Sequence, residues 1–122
     1  MADKVKPGMS PEEIATLHYD LMMKGDRDEW LKTMTKFHQE RADRYGSSPD
    51  FYWRTGRKYV DELGYSYKFK NKVEDQSDDK HIKYFFHRLS REGKKQGSGQ
   101  VPIHVVKDKD DNDEWRVDIA SW

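Results

Sequence analysis

The stretch "FYWRTGRKYVDELGYSYKFKNKV", Phe51 to Val73, changes its period halfway along. Up to Gly64, Phe51, Tyr52, Thr55, Tyr59, Val60 and Leu63 recur at helical spacing and form one stripe. Ser48 is placed to cap this helix, Pro49 suits its first turn, and Gly64 is placed to end it. Gly56 in its interior costs about 1 kcal/mol relative to alanine. From Tyr65 the period drops to two. Tyr65, Tyr67 and Phe69 alternate with Ser66, Lys68 and Lys70, the pattern of a half-buried strand. A helix that leads directly into a strand divides the chain into helices before Gly64 and strands after it.

Upstream, "SPEEIATLHYDLMMKG" reads as a first helix. Ser10 and Glu13 form a capping box, Pro11 opens it, Ile14, Leu17 and Leu21 with His18 or Met22 make the buried face, and Gly25 stops it. Asp26 or Asp28 then caps a second pattern with Trp30, Leu31, Met34, Phe37 and His38 on one face. "HQERADRYG" either prolongs that helix or forms an irregular link. Downstream, Ile82, Tyr84 and Phe86 alternate with His81, Lys83, Phe85 and His87. Val101, Ile103 and Val105 alternate with Pro102, His104 and Val106, and Trp115, Val117 and Ile119 with Arg116, Asp118, Ala120 and Trp122. The intervening "EDQSDD", "EGKKQGSG" and "DKDDND" are turn-like. The expected fold is therefore α+β: three N-terminal helices packed on a curved antiparallel four-stranded meander, over residues 10–122, with residues 1–9 as a flexible leader.

Composition fits such a domain. Only 34% of residues are hydrophobic and 38% are charged, with mean hydropathy −1.20, yet the net charge is zero and 13% are aromatic. Aromatic side chains bury roughly 150–250 Å² each, so a few of them can build a core from few aliphatics. The zero balance gives no global pull toward nucleic acid or an anionic membrane. The absence of cysteine removes disulfides, a thiolate nucleophile and cysteine metal ligands. No apolar run approaches the roughly 20 residues that span a bilayer, and the N-terminus has no apolar core, so the expectation is a cytoplasmic protein with no membrane partner.

"DKDDNDEW", Asp108 to Trp115, offers Asp108, Asp110 and Asn112 at the first, third and fifth positions of a calcium loop. Asp113 stands where that loop needs glycine and Ile119 where it needs glutamate, so the stretch reads as the tip of a hairpin. The first and third turns are rich in aspartate, while Arg88, Arg91, Lys94 and Lys95 flank the second. The sheet should have an acidic end and a basic end.

The order of elements resembles the nuclear transport factor 2-like superfamily, a curved sheet wrapped by helices into a cone. The likeness rests on a first helix ending in "KGDRDEW", a third helix "FYWRTGRKYVDEL" that leads directly into the strands, and a closing "DNDEWRVDIASW". "KFHQERADRYG" departs from the short strand or hairpin that many members have before the third helix. The superfamily holds isomerases, dehydratases, cyclases, epoxide hydrolases and domains with no activity, so the resemblance implies a cone and a pocket but not a reaction. Ketosteroid isomerases within it use a first-helix tyrosine and sheet-side aspartates. His18 and Tyr19 occupy the matching stretch here, Asp118 alternates away from Trp115 and Val117, and the base-bearing strand has no counterpart. The catalytic residues are thus unassigned, and the expectation leans away from an enzyme. It includes no cofactor and no metal.

Candidate sites follow from the alternation. His18, Tyr52, Trp53, Tyr67, Tyr84 and Phe86 would line the cone, where they either fill the core or bind a small apolar molecule. Phe85, His87, Leu89, His104, Val106 and Trp122 would lie on the other face of the sheet. Large apolar residues spread over neighbouring strands call for a covering partner, and superfamily members commonly dimerise there, so a homodimer is expected. His104 and Asp118 share that predicted face, where an ion pair between strands is the expected role. The alternatives to a dimeric ligand-binding domain are an isomerase-type enzyme and a protein-interaction module built on the sheet face.

Overall fold

The computed structural model describes residues 4–93 and 95–122, with the backbone alone over 95–98, and its helices precede its sheet. Helix α1 spans Pro11–Lys24. The Ser10 hydroxyl accepts from the Glu13 N–H at 3.2 Å and the Glu13 carboxylate accepts from the Ser10 N–H at 2.9 Å, closing the capping box. Gly25, at φ 86°, takes the left-handed conformation that ends the helix. The helix lies across the sheet and touches all four strands.

The expected second helix is broken in two. Helix α2 covers Arg27–Lys32 and α3 covers Lys36–Gln39. Between them Met34 runs beside the last strand as a single parallel bridge to Val117. The Val117 N–H donates to the Thr33 carbonyl at 2.7 Å and the Thr35 N–H donates to the Val117 carbonyl at 3.2 Å. Thr33 still has helical dihedrals, φ −75° and ψ −16°, and the chain is extended at the β-branched Thr35, φ −60° and ψ 156°. The break turns Phe37 outward to 56% exposure, whereas a continuous helix would bury it.

Helix α4 spans Ser48–Leu63 and is capped by Ser47, not Ser48. Its predicted stripe is only partly buried: Phe51 and Leu63 are exposed, while Tyr52, Trp53, Tyr59 and Val60 pack against the core. Gly56 is the point of closest approach. A Cβ there would stand 2.7 Å from Met22 Cε and 3.0 Å from Trp122 Cε2, so the missing side chain lets α4 settle on α1 and the end of the chain.

Strands β1 (Ser66–Lys72), β2 (His81–Leu89), β3 (Lys95–Asp108) and β4 (Glu114–Ala120) form one antiparallel sheet in sequence order. Tyr67, Ile82, Tyr84, Phe86, Val101, Ile103, Val105 and Val117 face the helices as the alternation predicts. The end of β4 departs from it. His104 pairs with Ile119 but Val105 pairs with Val117, so Asp118 is an extra residue and the strand bulges there. One inserted residue reverses the facing of everything after it. Ile119 therefore turns out, at 48% exposure, and Ala120 and Trp122 turn in, at 4% and 7%. Trp122 was expected on the outer face and lies in the core.

Asp108–Glu114 forms a hairpin connection with Asn112 and Asp113 at positive φ. Its carboxylates are engaged locally: Asp108 accepts from the N–H groups of Lys36 and Asp110, and Asp111 pairs with the buried Arg116 at 2.8 Å. Lys80, Lys107 and Lys109 share a shallow depression here with Asp79 and Asp113, so this end of the sheet is of mixed charge. At the opposite end Lys94 and the Lys95 side chain lie outside the described residues. Of the expected leader, Met9 is buried in the core and the Val5 and Gly8 N–H groups donate to Glu29 and Glu114. Among the described residues no helix is long and apolar enough to cross a membrane.

Candidate functional site

The two faces of the sheet hold the chain's unusual chemistry. On the inner face, His18, Tyr67 and Phe86 of the predicted pocket meet Tyr19, Trp30 and Trp122. Tyr19 contacts Phe86 at 4.4 Å and Tyr67 at 4.9 Å between ring centroids, and His18 stacks on Trp122 at 5.5 Å. Trp30 lies 5.2 Å from His18 and carries Trp53 on its other side at 5.1 Å. Tyr84 reaches the cluster through Phe69, and Tyr52 is half-buried against Phe51 on α4. Five of the six predicted residues thus join one aromatic cluster, whose rings pack on each other, and Tyr52 stands apart from it.

His18 is the chemical centre of that cluster and is fully buried. The Thr33 hydroxyl donates its one proton to the Trp30 carbonyl at 2.6 Å, so at 2.7 Å His18 Nδ1–H must be the donor to Thr33 Oγ1. That assigns the tautomer and leaves Nε2 as a bare acceptor. Burial, reinforced by His38, pushes the His18 pKa down to about 3, so the ring is neutral at physiological pH. Among the described residues Nε2 has no hydrogen-bond partner, and neither do the buried Trp30 Nε1, Trp122 Nε1 and Tyr67 hydroxyl. Burial likewise raises the pKa of Tyr67 and of Tyr19, whose hydroxyl donates to the Ser121 carbonyl at 3.1 Å. These groups can give or take hydrogen bonds; none is poised to move a proton at neutral pH.

On the outer face Phe85, His87, His104 and Val106 are half-buried, with His81, Lys83, Pro102 and the exposed Ile119 among them. Directly opposite pairs share a face, and these are His81 with Val106, Lys83 with His104, Phe85 with Pro102, and His104 with Ile119. Leu89 sits where the β2–β3 register shifts, at the end of the strand. Lys70 and Lys83 lay their ammonium groups over the Phe85 ring at 5.8 and 5.1 Å, and Lys70 also donates to Gln100.

Alternation alone does not reveal a second feature of this face. His81 Nε2 and His104 Nδ1 stand 2.8 Å apart with the rings 15° from parallel, so one nitrogen donates and the other accepts. Diagonal placement on adjacent strands brings them together, and the signal in sequence is a histidine at the first residue of β2 and another at the middle of β3. Desolvation first, then His81 and Lys83, lower the His104 pKa, with Asp118 opposing. Asp118 does not form the predicted ion pair with His104. Its bulge carries it to the sheet edge, where His38 Nε2 donates to its carbonyl at 2.9 Å and lies 3.4 Å from its carboxylate. The His38 contact with the carboxylate leads the causes that hold the Asp118 pKa below the ordinary carboxylate value. Among the described residues no group of three or more histidines and carboxylates is placed to hold a metal ion.

Comparison with protein families, curated proteins and solved structures finds no match for this chain.

Proposed function

We propose that this chain is a nuclear transport factor 2-like domain that works by association, pairing two copies through the outer face of its sheet. The observation that supports this is the contrast between the two faces. The inner aromatics pack on one another, while Phe85, Pro102, Val106 and Ile119 form an apolar surface on three strands with no helix over it. A second copy suits the surface. With zero net charge, copies do not repel globally. A two-fold axis along the strands between β2 and β3 would set Lys68 and Lys70 of one copy toward the Asp118 edge of the other. Light scattering at tens of micromolar should give twice the chain mass of 14.6 kDa. Phe85→Glu should give a single-chain mass with an unchanged circular dichroism spectrum. A single-chain mass for the unaltered protein would reject the reading.

One observation favours a second reading, a small ligand at the inner end of the cone. His18 Nε2, the Trp30 and Trp122 N–H groups and the Tyr67 hydroxyl are buried polar atoms without partners among the described residues, gathered in one aromatic cluster. A flat apolar molecule carrying a hydrogen-bond donor would satisfy His18. Native mass spectrometry of freshly purified protein tests this: a co-purifying small molecule lost in Trp122→Ala supports it, and the bare chain mass alone rejects it.

A further inference from the structure

His81 and His104 sit at the centre of the outer face, and two things about them bear on what the face does. Their ring nitrogens share one proton across 2.8 Å. They are also ringed by the apolar residues that a partner would cover: Val106 lies opposite His81, Ile119 lies opposite His104, and Phe85 follows on β2. Two imidazoles without a third ligand make a poor metal site, so the chemistry left to this pair is protonation.

A neutral pair satisfies itself, with one N–H and one lone pair facing each other. A first added proton goes to the outward nitrogen of the donor ring and leaves the facing hydrogen bond in place. A second makes both facing nitrogens donors, which breaks the bond and sets two positive charges side by side. Other charges act on the pair from each neighbouring element. Lys83 of β2 lies opposite His104 and adds repulsion. Asp78, whose carboxylate accepts from the His81 N–H in the turn before β2, and Asp118 of β4, with His38 of α3 behind it, act on the pair from the other sides. The two carboxylates favour the first proton and Lys83 opposes the second. Covering this face with another copy removes water from the pair and so disfavours every added charge.

We propose that the His81–His104 pair makes self-association through the outer sheet face depend on pH, with pairing lost as the two rings take up protons. The inference rests on the outer-face reading above. The direction follows from linkage: the paired state binds fewer protons than free chains, so association strengthens as pH rises and weakens as pH falls through the free chain's His104 value, which lies below the ordinary histidine range.

Sedimentation velocity at pH 7.5 and pH 5.0, on the unaltered chain and on His104→Gln, tests this. The unaltered protein should pair at pH 7.5 and show a Kd at least about tenfold weaker at pH 5.0, whereas His104→Gln should lose most of that dependence. Pairing of the unaltered chain at both pH values would overturn the switch and leave the outer-face reading standing. A single chain at pH 7.5 would overturn both. Equal pH dependence in the variant would place the titrating group elsewhere and overturn the proposal. Ring-proton NMR titration covers the case in which His104→Gln does not pair at all. His104 should titrate below the ordinary histidine range and His81→Gln should move it back toward that range, and an unmoved His104 curve would overturn the shared proton.

Discussion

The inner and outer faces of one sheet are built from similar residues and end in opposite states. Both carry phenylalanine, valine and isoleucine, and a histidine from α1, His18, packs against the inner one. Inside, α1 covers the strands and His18 is dehydrated and neutral, its pKa near 3. Outside, the histidines keep water on one side and hold a proton between them. Residue type therefore says little about role on this sheet. What separates His18 from His81 and His104 is burial: His18 lies on α1 between the helices and the sheet, while His81 and His104 are half-buried on the opposite face.

The largest effect that should separate the faces is at the end of the chain. Trp122 packs on His18, Tyr19 and Tyr67, so Trp122→Ala should lower unfolding free energy by about 3–5 kcal/mol in urea titrations at fixed protein concentration. A loss under about 1 kcal/mol would put Trp122 back on the surface. The next contrast is in pH. Below about 6.5 the unfolded chain binds a proton at His18 that the folded chain refuses until about pH 3. Stability should thus fall as pH drops through that window, with a slope from this residue approaching about 1.4 kcal/mol per pH unit. His18→Gln should flatten the slope; identical slopes would mean that His18 is hydrated. The smallest effect belongs to the outer face. Ile119→Ala should change the stability of the single chain by less than about 1 kcal/mol while weakening pairing, although Ile119 is only three residues from Trp122.

Helix starts and stops were legible wherever one residue makes its own contact. The Ser10–Glu13 box, Gly25 and Gly64 needed no tertiary information. The strands and their order were legible from the change of period after Gly64. Legibility failed where a distant element decided. The break at Met34 depends on Val117, 83 residues later in the chain. The bulge at Asp118 inserts a residue that a strict period of two cannot represent, and so it sent Trp122 to the wrong face and kept Ile119 on the inside. The same limit applies to the candidate sites. His18, Tyr67 and Phe86 were expected to lie together, but Thr33, which assigns the His18 tautomer, lies beyond the helix that carries His18. His81 and His104 were each placed on the outer face, yet their contact depends on the β2–β3 register, which sequence does not state.

The division of labour between the faces can be tested in one experiment. Isotope-filtered nuclear Overhauser spectra on a mixture of labelled and unlabelled chains at pH 7.5 record only contacts between copies. Cross-peaks should come from Phe85, His104, Val106 and Ile119, and none from Phe86, Ile103 or Val117. Intermolecular cross-peaks confined to the exposed helix-side rings of Phe37, Tyr45 and Phe51, or no cross-peaks at all, would contradict the assignment of the outer sheet face as the surface that pairs.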